Sequence, residues 1–273
     1  DEKFAAVREQ FEQNIADGTD IGASFCVTKD GETVIDLWGG HADPEKTRPW
    51  ERDTVVNVYS TTKTMTALVA LYLADKGLID FDAPVADYWP EFAANGKDKV
   101  KVSHLTSHSA GLPGWTEPTG KDMLYDWDLA TSLLAAQAPM WEPGTAPGYH
   151  ALSQGYLVGE VIRRASGRTV GTVFREDIAE PLGADFHIGL PASEDARVAD
   201  LQPPPPREGF SFEGDIKKAA FANPAIDVSE TRTRAWRGAE IPAAGGTGST
   251  HNRPLRCGLV VPRRGLRHVR GDA

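Results

Sequence analysis

The stretch VYSTTKTMTALVALYLADKGL, residues 58–78, places Ser60 three residues before Lys63 at the head of an apolar run. A serine hydroxyl is a poor nucleophile at neutral pH and needs a neighbouring base, and a lysine held partly neutral can take its proton. On a helix, positions i and i+3 share a face, so the two side chains can meet without help from the rest of the fold. A first helical turn adds the positive end of the helix dipole, which favours a developing alkoxide. It also offers the Ser60 backbone N–H as half of an oxyanion hole. The spacing alone carries little, because Ser-x-x-Lys arises by chance about once in a chain of this length. The plain alternative makes Ser60 or Thr61 an N-cap and Lys63 a solvated residue, although a cation in a first turn is unfavourably placed against the dipole.

Other residues offer weaker chemistry. Tyr149, in WEPGTAPGYHALSQGY, reads by itself as a packed aromatic after a turn, like Tyr156. His104 and His108 are spaced for two metal ligands on one helix, but HLTSH lacks the adjacent glutamate of metalloproteases. There is no Gly-x-Ser-x-Gly elbow. Ser24, Ser107 and Ser109 read as hydrogen-bonding strand or loop residues. Trp115 and Trp127 are candidates for the wall of an acyl pocket, or simply for core. Two cysteines, Cys26 and Cys257, are too few for a disulfide framework or a zinc site.

The elements that must position these residues begin with an amphipathic helix, since Phe4, Val7, Phe11 and Ile15 recur at helical spacing up to Gly18. GASFCVT and ETVIDLWGG are β-prone runs joined by KDGE, whose Asp-Gly pair suits a tight hairpin turn. A helix of about four turns is expected from near Ser60 to a C-cap at Gly77. From Phe81 to about Gly183 the pattern predicts mostly helices joined by Pro/Gly turns: FDAPVADYWP, SHSAGLPGW, DLATSLLAAQ, QGYLVGEVIRRASG and VGTVFREDIAEPLG. LQPPPPREG is an expected extended loop.

A chain of 273 residues with 40% hydrophobic content can bury a sizeable core, as one domain or two interleaved ones. Its formal net charge of -10 argues against nucleic acid or an anionic membrane as partner and favours a small molecule. No apolar run approaches the length of a transmembrane helix, and DEKFAAVREQ starts without a methionine, a basic n-region or an apolar h-region, so either the start was trimmed or a leader was removed; a cytoplasmic location is the expectation.

Several stretches in a fixed order carry a resemblance: the N-terminal helix and hairpin, VYSTTKTMTALVALYLADKGLIDFDAPVADYWPEF, VSHLTSHSAGLPGW, WEPGTAPGYHALSQGYLVGEVIRRASG and AEIPAAGGTGS. The chain resembles the serine β-lactamase and penicillin-binding-protein superfamily, specifically its class C-like branch of family VIII carboxylesterases, over residues 4 to 249. The resemblance implies an α+β, β-lactamase/transpeptidase-like fold, with an antiparallel sheet flanked by helices plus a mostly helical region. It assigns 1–79 and 232–249 to the α/β part, 80–231 to the helical region and 250–273 to an atypical basic tail. Ser60 matches the acylated nucleophile, Lys63 its proton-abstracting partner, and Tyr149 the second-motif tyrosine that shuttles a proton to the leaving group. Such chemistry implies no metal or organic cofactor.

Two departures matter. Class C β-lactamases carry Tyr-x-Asn at the second motif, whereas Tyr149 is followed by His150 and Ala151, which leans the resemblance toward esters. His150 and Trp115 are the candidate substrate contacts, His150 also being readable as a pocket-wall or surface residue. The family's late Lys-Thr-Gly or His/Trp-x-Gly strand, which completes the oxyanion hole, has no counterpart, so the C-terminal strands are expected to be missing. A homo-oligomer is one way to cover the sheet edge this would leave. The expected function is hydrolysis of a small-molecule carboxylic ester through an acyl-enzyme on Ser60, with weak β-lactam hydrolysis. The alternatives are a catalytically silent binding or regulatory protein, or a D-aminopeptidase or acyltransferase on the same scaffold.

The tail from Thr250 holds six arginines against one acidic residue and has no useful periodicity apart from GLVV. It reads either as a disordered basic tail or as a stretch out of frame. Codons for Arg253 to Leu259 can be chosen so that the frame one nucleotide downstream reads Ala-Arg-Phe-Ala-Ala-Ala-Leu, a helix-like run. Resequencing the gene is expected to return codons of that kind, and codons incompatible with the alternative frame would dispose of the out-of-frame reading.

Overall fold

In a computed structural model of the chain, residues 2–117, 121–201 and 259–260 are described. They fall into two compact units, one built from stretches within 1–58, 175–202 and 256–273, the other from stretches within 59–174 and 203–255. The sequence readings of LQPPPPREG beyond Leu201, of AEIPAAGGTGS and of most of the tail lie outside the described residues.

In the first unit, helix α1 (Ala5–Ala16) is followed by strands β1 (Gly22–Lys29) and β2 (Glu32–Gly40). β1 and β2 pair antiparallel, with a register shift between Val27 and Thr28. The Lys29–Glu32 pair closes a two-residue turn in which Asp30 (φ 53°) and Gly31 (φ 82°) both take positive φ, as a primed hairpin turn requires. α1 packs on β2, with Ile15 and Phe11 over Gly39 at distances where even a Cβ would make ordinary van der Waals contact (3.4 and 3.7 Å). Cys26 is half-buried on β1, where burial raises its thiol pKa. A short strand β3 (Asp185–Phe186) pairs antiparallel with β4 (Leu259–Val260), so the GLVV run of the tail does supply a strand.

Asp43 ties this unit together. Its buried carboxylate accepts from the Thr47 hydroxyl, from the Thr47 N–H (2.7 Å) and from the N–H (3.3 Å) and Nε (3.4 Å) of Arg48. Arg48 in turn donates to Val198 O (3.0 Å) and Asp200 Oδ2 (3.3 Å). The segment they hold is pinned by Ala199 N to Val55 O (2.8 Å) and Asp200 N to Ala42 O (2.7 Å).

The second unit is helical. A 3-10 turn, Tyr59–Thr61, leads into α2 (Thr62–Asp75), followed by α3 (Val102–Thr106), α4 (Trp127–Ala136), α5 (Ser153–Ser166) and α6 (Val170–Val173). α5 packs against all four of the others. Its Leu157, Val158, Val161 and Ile162 are buried, and at Gly159 a Cβ would stand only 2.7 Å from the Trp127 indole. Glu160 is also buried, accepting from Trp127 Nε1 (2.7 Å), Arg163 Nε (2.8 Å) and Arg164 Nε (2.7 Å). α2 ends with Lys76 as C-cap and Gly77 at φ 71°, where the sequence predicted it.

The expected helices at FDAPVADYWP and SHSAGLPGW are only short 3-10 turns and bends, because Pro84, Pro90 and Pro113 cannot supply helical N–H groups and Gly111 takes φ 76°. Lys97, fully buried, gives its ammonium to the carbonyls of Ala94 and Gln137, the latter at the C-terminal end of α4. Burial lowers its pKa to about 8. Among the described residues no helix is long and apolar enough to cross a membrane.

The Thr47 hydroxyl, with the backbone and side-chain donors around it, holds the Asp43 carboxyl down to about 2 from its ordinary 3.8. A carboxyl depressed on folding adds stability above its unfolded pKa and loses it as pH falls through the folded one. Asp43→Asn is therefore expected to lower the denaturation midpoint at about pH 7, with the gap to wild type closing between about pH 4 and pH 2. A gap equal at both ends of that range contradicts the assignment.

Candidate active site

The second unit contains every residue of the candidate site. Ser60 sits in the 3-10 turn before α2, after Tyr59, whose φ of 46° is left-handed. That conformation costs a non-glycine residue about 1–2 kcal/mol and persists where the surroundings over-determine it. Thr61, the N-cap, makes no side-chain cap hydrogen bond. Ser60 is also not sealed off as a cap: it is exposed, with its hydroxyl engaged by two other side chains.

Lys63 Nζ donates to Ser60 Oγ at 3.3 Å and to Ala151 O at 2.8 Å. Tyr149 Oη donates to Ser60 Oγ at 2.6 Å, and Lys63 Nζ lies 5.1 Å from the centre of the Tyr149 ring. The three residues the sequence put forward as catalytic are thus brought together around one oxygen. Tyr149 is 47% exposed, so a solute can reach that oxygen.

The backbone carrying Tyr149 is held from behind. His108 takes a left-handed conformation (φ 61°); its carbonyl accepts Gly148 N–H at 2.9 Å and its Nδ1 accepts His150 N–H at 3.1 Å. Its ring lies 4.8 Å from the Tyr149 ring, tilted by 56°. Gly148 must be glycine, since a Cβ there would run into the Trp141 indole, itself fixed by Nε1 donating to Ala146 O at 2.8 Å.

Two sequence expectations are corrected. His150 is 0% exposed, its Nδ1 bonded to Gly148 O and its Nε2 accepting Leu112 N–H at 3.1 Å, so neither ring nitrogen is available to a substrate. Burial lowers its pKa to about 4, which keeps it neutral. Trp115 is 1% exposed, donates Nε1 to Ala130 O at 2.9 Å and meets Tyr156 edge-on. Trp127 likewise belongs to the α4–α5 packing. Large aromatics in a Pro/Gly-rich stretch are as often core as pocket wall, and sequence does not separate the two.

Other readings fall into place. His104 packs under Gly144 and accepts Lys101 N–H on Nδ1 at 3.3 Å, while Ser107 and Ser109 bond each other at 2.9 Å. Among the described residues no group of His, Cys, Asp and Glu is arranged to hold a metal ion. An open cavity of about 360 Å³ bounded by Trp89, Glu91, Asp128, Glu160 and Arg164 contains none of Ser60, Lys63 and Tyr149. The contacts sequence reasoning did not anticipate are those of His108 with the backbone around Tyr149, and of the Ala151 carbonyl with Lys63.

Helices gathered around a serine at the head of α2, with small antiparallel strand pairings, make this a β-lactamase/transpeptidase-like fold. The family model described as Beta-lactamase matches residues 10–252, and the chain belongs to that family. It is 37% identical over 260 residues to "Esterase/beta-lactamase LipL" of Mycobacterium tuberculosis, a match covering 90% of this chain and 60% of the relative. It is 32% identical over 218 residues to "Esterase EstB" of Burkholderia gladioli, covering 72% of this chain and 55% of the relative. Among solved structures, a penicillin-binding protein homolog from Caulobacter crescentus is 46% identical with a TM-score of 0.80, covering 89% of this chain and 65% of its own. A family VIII carboxylesterase is 50% identical with a TM-score of 0.77, covering 88% of this chain and 64% of its own. The chain therefore spans 55 to 60% of the length of these two curated relatives.

Gly148→Ala tests whether the Trp141 contact sets Tyr149. Overpacking of this kind costs about 1–3 kcal/mol, read as a lower denaturation midpoint as the Trp141 and Tyr149 segments are displaced. Gly155→Ala is the control, because nothing lies within 4 Å of a Cβ there. Equal behaviour of the two variants contradicts the proposed constraint.

Proposed function

We propose that the protein is a serine hydrolase of carboxylic esters that works through an acyl-enzyme on Ser60. The observation carrying this reading is the convergence of Tyr149 Oη (2.6 Å) and Lys63 Nζ (3.3 Å) on Ser60 Oγ. The names of the esterase relatives support the substrate class.

In this reading Ser60 Oγ attacks the ester carbonyl carbon and gives its proton to the Lys63 amine, directly or through the closer Tyr149 hydroxyl. The bond to the alcohol oxygen then breaks, and that oxygen takes the proton back along the same path. Water attacks the acyl-enzyme, loses a proton to the Tyr149–Lys63 pair, and Ser60 Oγ departs with it. Each step moves one proton, and no step needs a metal or organic cofactor. The developing oxyanion is served by the Ser60 N–H, since the first N–H groups of a helix have no intrahelical acceptor.

The Ala151 carbonyl carries part of the substrate argument. It holds Lys63 Nζ at 2.8 Å, the positioning that the resemblance gives to an asparagine side chain. With Ala151 there is no side-chain amide for the acylamino group of a β-lactam, so esters are the main substrates and lactam hydrolysis is weak.

Intact-mass measurement after a p-nitrophenyl ester or a labelled β-lactam is expected to give one acyl adduct on wild type and none on Ser60→Ala. Tyr149→Phe is expected to keep the fold and lose about 10²- to 10⁴-fold in acylation rate, the range of a positioned acid–base group. A folded wild-type protein that forms no adduct on Ser60 defeats the reading and leaves a binding or regulatory role.

A further inference from the structure

Tyr149 is the member of the cluster with no helix of its own, and a single residue brackets it. The Gly148 N–H goes to the His108 carbonyl, the His150 N–H goes to His108 Nδ1, and the imidazole packs on the phenol ring between them. The left-handed backbone of His108 allows carbonyl and ring to address the same strand of chain. We propose that His108 is the positioning residue for Tyr149, and that the site is competent only while His108 Nδ1 is unprotonated and free to accept the His150 N–H. This rests on the acyl-enzyme reading for its link to turnover, although the bracket itself can be tested without it.

The chemistry of the bond makes the state of the ring decisive. A neutral imidazole accepting on Nδ1 carries its proton on Nε2, which stands 3.4 Å from Gln154 Nε2, an amide nitrogen that donates to Thr106 O at 3.3 Å, so this contact is not a hydrogen bond from the ring. A second proton can go only to Nδ1, where it would confront the His150 N–H, donor against donor. The bracket would open and Tyr149 would lose the backbone position that aims its hydroxyl at Ser60. The titratable and charged groups facing His108 are Lys63 from α2, and Tyr149 and His150 from the segment entering α5; Gln154 of α5 is uncharged. Burial, and then the Lys63 charge, push the His108 pKa below the usual histidine range, so the competent form prevails at neutral pH. Protonation of His150, with its pKa near 4, comes later in acid.

Asparagine is the informative replacement. Its Oδ1 stands where Nδ1 stands, accepts a hydrogen bond, does not titrate, and its residue tolerates left-handed φ. His108→Leu removes the acceptor. With a p-nitrophenyl ester, His108→Leu is expected to lose at least about tenfold in kcat with little change in KM, and His108→Asn to restore kcat to within about threefold. The part of the wild-type acid limb that follows the His108 titration should be missing from His108→Asn. In parallel, protein labelled with ¹³C at the tyrosine ring carbons should show the Tyr149 signal, assigned by its loss in Tyr149→Phe, shifting with the midpoint of the His108 imidazole titration. In His108→Asn that shift should vanish. An unchanged acid limb in His108→Asn, or a Tyr149 signal indifferent to the His108 titration, overturns the proposal. If wild type turns over no ester, the acyl-enzyme reading fails and the labelled-tyrosine experiment alone decides the role of His108.

Discussion

A 2.6 Å hydrogen bond between two hydroxyls, Tyr149 Oη and Ser60 Oγ, joins residues 89 positions apart, and the rest of the second unit is arranged so that it can form. Such a bond in an exposed setting is worth about 1 kcal/mol at most, far less than the cost of ordering the segment that carries Tyr149. It cannot hold the geometry and must be given it. The giving is done by buried packing: α5 contributes apolar side chains on the face that meets α2, and Gly148 and Gly159 let indole rings close against backbone. Burial of several such side chains supplies about 1.5–3 kcal/mol each, so the scaffold outweighs the bond it serves.

The electrostatic arrangement follows the same division. Lys63 is the basic side chain at the cluster, its Nζ held by the Ala151 carbonyl, by Ser60 and by the face of the Tyr149 ring. Around it stand two histidines whose rings are spoken for by backbone N–H groups, and burial lowers the pKa of both. Histidines are normally the residues that gain charge first as pH falls; here each would have to give up an accepted hydrogen bond to do so. The site therefore resists added positive charge on its histidines.

The primed turn at Asp30-Gly31, the helix from Thr62 to its Gly77 terminus and the α4 and α5 segments were legible because each rests on local chemistry: a turn dipeptide, a capping glycine, an apolar period. Ser60 and Lys63 were legible as a spacing, and Tyr149 only through the resemblance, since an aromatic after a turn carries no signal by itself. His108 was considered only as half of a metal-ligand spacing, because its part in the site is played by a backbone carbonyl and one ring nitrogen directed at backbone groups forty residues on, a relation no local pattern encodes. The same holds for the Ala151 carbonyl and for Lys97, whose sequence neighbours NGKDK look solvated while its ammonium is buried against carbonyls from two segments. Proline and glycine content was the evidence that should have weighed more against helices at FDAPVADYWP and SHSAGLPGW.

That main-chain groups hold both Lys63 and Tyr149 has a consequence for selectivity. A side-chain amide used to place a lysine also presents a donor and an acceptor to whatever binds beside it, and a buried or half-buried amide left without a partner costs binding energy. A substrate with a matching amide is favoured by such a site and one without it is penalised. A carbonyl already committed to Lys63 makes no such demand. The lysine stays at hydrogen-bond distance from Ser60 whatever occupies the neighbouring space, and the methyl of Ala151 asks only for shape. Chemistry of this kind fits acyl groups that bring few polar atoms of their own, which is the sense in which the proposed preference for simple esters over lactams rests on position 151.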